Sequence, residues 1–108
     1  MKIEIKPLSV NEAWQGKRFK TAKYLSYEKE LMLLLPKINI PSTPLVLSVN
    51  VGYSNKLSDI DNCIKPFQDI LQKKYGFNDS QIYELHVYKS IVEKGKEFIS
   101  FNISPTII

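Results

Sequence analysis

The sequence predicts a small α/β (α+β) domain. It is a mixed sheet with two helices, in the order strand, helix, strand, helix, then a strand–strand hairpin. Three observations lead there. Leu45 to Tyr53 alternates apolar residues with a period of two, the signature of a strand. Tyr24 to Leu35 and Ile60 to Tyr75 repeat apolar residues at helical spacing. Pro36 and Gly76 stand where those helices should stop. The 108 residues make a single domain, 1–108, with a core modest enough that a partner subunit would help to stabilise it.

Lys2 to Lys6 alternates Ile3 and Ile5 with charged residues and reads as a short strand ended by Pro7. Residues 8–23 have no clean period. They hold Lys17, Arg18, Lys20 and Lys23, interleaved with Phe19 and followed by Tyr24. A cationic loop with stacking side chains is a common way to hold a nucleic-acid backbone, so these four are candidate DNA-binding residues. An exposed loop without a ligand is the plainer alternative. Tyr24, Tyr27, Leu31, Leu34 and Leu35 form one helical stripe, with Ser26 placed to cap its start. Lys37 to Pro44 contains two prolines and reads as a connecting loop.

In the next strand Leu45, Leu47, Val49, Val51 and Tyr53 point one way, and Val46, Ser48, Asn50 and Gly52 the other. Asn55 to Ser58 then leads into Asp59, just beyond the carboxyl end of that strand, a common place for an α/β site. Ile60, Ile64, Phe67, Leu71 and Tyr75 should bury one helix face, and Pro66 should make the first turn irregular or kinked. Ile82 to Val92 reads as a strand with Tyr83, Leu85, Val87 and Ile91 on one face. Glu93-Lys94-Gly95-Lys96 reads as a hairpin turn, and Glu97 to Ser104 as the strand it returns, with Ile99, Phe101 and Ile103 toward the core. The tail from Pro105 to Ile108 is apolar.

A hydrophobic fraction of 44% and a charged fraction of 24% are ordinary for a soluble globular protein. The longest aliphatic run, Leu31 to Leu35, falls far short of the roughly 20 residues a membrane span needs. The first residues lack the apolar core of a signal peptide, and the lone Cys63 can form no internal disulfide. These features point to a cytoplasmic protein without a membrane partner. Residues 1–58 carry nine Lys/Arg against four Asp/Glu, whereas residues 59–108 carry six against seven. A basic first half suits a polyanion, and an acidic cluster at the head of the second half suits bound cations. Low arginine with abundant lysine, isoleucine and asparagine suggests an AT-rich genome.

The chemistry concentrates between Asp59 and Gln81. Asp59 and Asp61 lie two apart, Lys65 follows Asp61 by four, and Asp79 stands at the far end of the helix. At a spacing of four on a helix, Asp61 and Lys65 share one side. If the helix and its flanking strands fold their ends together, Asp79 returns to the first pair. Three acids beside one lysine make a site for a divalent metal and a phosphate. Hard carboxylate oxygens select Mg²⁺ or Mn²⁺, and no Cys/His cluster competes. Each residue also has a plainer role. Asp59 or Asp61 could cap the helix, Asp79 could shape a turn, and Lys65 could pair with Asp61. Asn62 could cap the helix or orient a ligand. Cys63 reads as packing and His86 as a surface residue. No nucleophile triad and no glycine-rich phosphate loop can be assembled.

The ordered set resembles the RusA-type Holliday junction resolvases. The resemblance rests on Asp59, Asp61, Asn62 and Lys65, a helix of about three turns, and Asp79-Ser80-Gln81-Ile82 before a strand. Asp69 and Leu71 match helix positions that the family uses, and Leu8-Ser9-Val10-Asn11 resembles its opening segment. Phe77 stands where many members have tryptophan, an aromatic-for-aromatic change. The resemblance implies a magnesium-dependent endonuclease that resolves four-way DNA junctions by paired symmetric nicks in recombination and repair, encoded by a bacterium or a phage. It implies Asp59, Asp61 and Asp79 as metal ligands, with Lys65 as a fourth catalytic residue acting on phosphate charge. It also implies a homodimer, because a two-fold dimer sets two sites against two opposing strands. The rival reading is a small non-catalytic nucleic-acid-binding module that keeps the basic loop and uses the acids as caps.

Overall fold

The computed structural model describes residues 1–15 and 19–106. Ten elements follow in order: β1 (Lys2–Ile3), α1 (Val10–Ala13), β2 (Trp14–Gln15), β3 (Phe19–Lys20), α2 (Ala22–Leu34), β4 (Leu45–Tyr53), α3 (Ile64–Tyr75), a 3₁₀ turn (Asp79–Gln81), β5 (Ile82–Ile91) and β6 (Phe98–Pro105). The predicted class and element order hold, with a one-turn helix α1 and a miniature β2–β3 hairpin added in the stretch that lacked a period. The Ser9-x-x-Glu12 spacing was the signal for α1. The Ser9 hydroxyl accepts from the Glu12 N–H, and the Glu12 carboxylate accepts from the Ser9 N–H in return.

The main sheet has the order β1-β6-β4-β5. β4 lies parallel to β5 on one side and antiparallel to β6 on the other. The expected hairpin between the last two strands therefore does not form. The connection from Val92 to Glu97 carries the chain over the carboxyl end of β4 instead, with the Val92 N–H donating to the Tyr53 carbonyl at 2.8 Å. Ser54 Oγ and the Gly95 N–H both donate to Glu97 and hold that crossing. The physical reason lies in β4. Its alternate residues Leu45, Leu47, Val49, Val51 and Tyr53 are all buried, so the strand is most stable with a partner on each edge.

The helices cover one face of this sheet. Tyr24, Tyr27 and Leu31 of α2 are buried, with Leu35 just after it, whereas Leu34 is half exposed, outside the stripe predicted for it. Thr21, not Ser26, caps α2: its side chain accepts from the Tyr24 N–H. In α3, Ile64, Phe67, Ile70 and Leu71 are buried. Ile60 lies before the helix and is half exposed. Pro66 sits in the first turn, where no intrahelical N–H is needed. Gly76 ends α3 at φ 73°, a left-handed conformation that costs glycine little. Phe67 meets Phe101 edge to face at 5.5 Å, and truncating such a core ring costs about 3–5 kcal/mol. The Phe98 ring packs against Gly52, where an added Cβ would stand 2.4 Å from it.

Candidate active site

Asp59 and Asp61 occupy the turn between β4 and α3. The turn is held by backbone bonds, from the Asn62 N–H to the Asp59 carbonyl and from the Ile64 N–H to the Asp61 carbonyl, both 3.1 Å. Both residues are exposed, and among the described residues no group donates a hydrogen bond to either carboxylate. The N-cap of α3 is Cys63, with no side-chain capping bond. The capping role open to these acids is therefore not the one they play.

Asp79 has also been relieved of its plainer role. Asn78 shapes that turn: its side chain accepts from the Ser80 N–H, and its own N–H donates to Gln81 Oε1. The Asp79 carboxylate is exposed. The side chains of all three acids are therefore left without a capping role in the fold.

The parallel register decides where the acids lie. Leu45 pairs with Ile82 and Tyr53 with Ile91, so β5 starts level with the start of β4. Asp79 precedes β5, whereas Asp59 follows β4. The two acids thus stand at opposite ends of a nine-residue strand, about 26 Å long at the usual rise. The convergence expected within one chain does not occur. Among the described residues, no three His, Cys, Asp or Glu side chains are grouped to hold a metal ion. Asp59 and Asp61 are a pair of anionic oxygen donors of the kind that suits a hard divalent cation.

Lys65 lies on the first turn of α3 with its ammonium 3.1 Å from Asp69 Oδ1. Its salt-bridge partner is Asp69, not the expected Asp61, because Asp61 lies outside the helix. Asn62 faces a cleft of about 380 Å³ beside the acid turn, lined also by Ser9, Tyr53, Asn55 and Ser58. Its carbonyl accepts from the Val10 N–H at 2.9 Å, which ties the acid turn to α1. Cys63 is buried as expected, and burial pushes its thiol pKa up. His86 is exposed on β5.

Of the basic loop, Lys17 and Arg18 lie outside the described residues. Lys20 pairs with Glu28 at 3.4 Å and Lys23 with Glu12 at 3.1 Å. The Lys23 hydrogen bond holds the Glu12 carboxyl below its usual range against the opposing effect of burial. Burial raises Glu28, but Lys73 at 2.8 Å and Lys20 outweigh it and hold this carboxyl low as well. Sequence reasoning missed Lys89, whose ammonium donates to the carbonyls of Lys56 and Ser58 just ahead of Asp59. The signal was there: Lys89 interrupts the apolar row Leu85, Val87, Ile91.

Residues 5–100 match the family described as Endodeoxyribonuclease RusA. No curated protein matches the chain.

Proposed function

The chain belongs to the RusA endodeoxyribonuclease family, and on that footing we propose that it is a magnesium-dependent nuclease that resolves four-way DNA junctions by paired nicks during recombination and repair. The observation that supports this reading most directly is the free state of the acids. Asp59, Asp61 and Asp79 are exposed; neither Asp59 nor Asp61 caps α3, and Asn78 makes the cap that Asp79 could have made.

In this reading Asp59 and Asp61 hold the cation. A bound Mg²⁺ or Mn²⁺ supplies Lewis-acid charge and an activated water for hydrolysis of the phosphodiester. The P–O3′ bond breaks, and the 3′ oxygen leaves as a hydroxyl once protonated. Lys65 is set one turn beyond Asp61 and neutralises charge that builds on the phosphate oxygens. Exposed Lys65 pairs with half-buried Asp69 weakly enough for the partner to be exchanged for a phosphate. Lys17, Arg18, Lys20 and Lys23 hold the DNA backbone.

The third carboxylate calls for a second copy. β5 is the longer of the two outer strands of the sheet, ten residues against two in β1, with Tyr83, Leu85, Tyr88 and Ile91 each about half exposed. Long, apolar edge strands tend to find a partner strand. Antiparallel pairing of β5 with its two-fold mate sets the start of one strand beside the end of the other. The partner subunit's Asp79 then approaches the turn that carries Asp59 and Asp61. A homodimer so formed has two sites related by two-fold symmetry, as a junction has two strands to cut.

Among the described residues no helix is long and apolar enough to cross a membrane. We place the protein in the cytoplasm of a bacterium or a phage-infected cell, where a single buried thiol stays reduced.

The test is magnesium-dependent nicking of a synthetic four-way junction beside a linear duplex of the same sequence. Symmetric nicks confined to the junction support the reading. Binding without cutting at any magnesium concentration returns the protein to a non-catalytic DNA-binding module.

A further inference from the structure

The loop from Ser54 to Asp59 leaves the end of β4 with few ties of its own. The Leu57 N–H donates to Asn55 Oδ1 at 2.9 Å and the Ser58 N–H to the Asn55 carbonyl at 3.3 Å, both within the loop. At its root Ser54 Oγ reaches Glu97. The connection from the rest of the loop to the sheet comes from β5. Lys89 donates to the Lys56 carbonyl at 3.0 Å and to the Ser58 carbonyl, the last one before Asp59.

Lys89 is itself held in place. It pairs in register with Val51, on the same side of the sheet as Val87 and Ile91. Its ammonium stands 5.9 Å from the centre of the Tyr53 ring, within reach of a cation–π attraction. Both bonds carry the full charge of the ammonium, which makes them stronger than bonds between neutral groups. Two carbonyls gripped by one cation fix the backbone on the approach to Asp59.

We propose that Lys89 is a positioning residue: by clamping the Lys56 and Ser58 carbonyls it holds the Asp59 carboxylate where a divalent cation is bound. The inference rests on the reading of Asp59 as a metal ligand.

The experiment compares the parent protein with Lys89→Met and Lys89→Arg. Methionine keeps the aliphatic stem over Tyr53 and removes the donors, and arginine restores donors. Two readouts are taken on protein stripped with chelator: amide hydrogen exchange along the loop, and Mn²⁺ binding by calorimetry. In Lys89→Met the amides of Leu57, Ser58 and Asn62 should exchange several-fold faster while those of Val49 and Val87 stay unchanged. The Mn²⁺ affinity should fall by about tenfold, as when outer-shell partners of metal ligands are removed. Lys89→Arg should recover most of both. Parental exchange rates or parental Mn²⁺ affinity in Lys89→Met overturn the proposal. If the parent binds no Mn²⁺, the reading of Asp59 as a ligand fails and the inference fails with it. The parent titration therefore separates that outcome from a failure of Lys89 alone.

Discussion

Lys65 is paired with Asp69, four residues onward at 3.1 Å, and not with Asp61, four residues back. The helix begins at Ile64, so only the forward partner shares its geometry. Lys65 is 60% exposed, and an exposed pair of this kind contributes only about 0.3–0.5 kcal/mol. Lys65→Ala should therefore leave the thermal midpoint almost unchanged while cleavage drops by about a hundredfold or more. Single-turnover cleavage and a thermal melt on the same preparation check both halves. Retained cleavage removes Lys65 from the chemistry.

Asp61→Asn asks whether the exposed carboxylate works as a charge. Neither acid caps α3, so the substitution should cost little stability. It removes the negative charge of the proposed ligand, and cleavage in magnesium should fall by orders of magnitude. Junction binding in chelator should hold or tighten, because a carboxylate without its cation repels phosphate. Parental cutting by Asp61→Asn would refute the metal site.

The outer strand predicts an assembly. Leu85→Lys combined with Tyr88→Glu places charge on exposed positions of β5 without touching the buried core. Sedimentation should shift from dimer to monomer, and Mn²⁺ affinity should fall with it, as the proposed sharing of Asp79 between copies requires. A monomeric parent, free and on junction DNA, sinks the dimer. A dimeric parent whose variant is monomeric yet binds metal normally sinks the shared site.

The loop lysines predict a salt effect. Each phosphate contact that is lost should lower the slope of log affinity against log salt by about one unit. Neutralising Lys17, Arg18, Lys20 and Lys23 together should flatten that slope. Lys20 and Lys23 must first leave Glu28 and Glu12, so these two should each contribute less than a full unit. An unchanged slope in the quadruple variant rules the loop out as a backbone contact.

Glu28 predicts a pH effect of definite sign. Its folded-state pKa lies below 4.5, because Lys73 and Lys20 outweigh the effect of burial. A depressed carboxyl pKa stabilises the fold above the unfolded value, and the contribution is lost as pH falls through the folded one. Glu28→Gln should therefore cost about 1 kcal/mol at neutral pH, and the difference from the parent should vanish in acid. Denaturant titrations at pH 7 and at about pH 3 measure it. A constant difference across that range removes the ion pairs as its cause.

Much of this protein was legible in the residue order alone. The alternation from Leu45 to Tyr53, the stop at Pro36 and the left-handed cap at Gly76 are local signals that depend on neighbouring residues. The acids and Lys65 were legible for the same reason, as residue types at fixed spacings. Local signals also misled where the element began later than its pattern, as at Ile60 and Asp61. The choice of strand partners was not legible. Backbone hydrogen bonds are alike for any partner, so a turn at Lys94-Gly95 does not oblige Ile82–Ile91 to pair with Phe98–Pro105. Burial of β4 on both edges settled the matter. That one decision made β4 and β5 parallel, returned the chain across α3 to the start of the sheet, and set Asp79 at the far end from Asp59. It also turned Lys89 toward the loop that carries Asp59. Sequence spacing supplies the donors, but only the tertiary register determines which of them one chain can bring together.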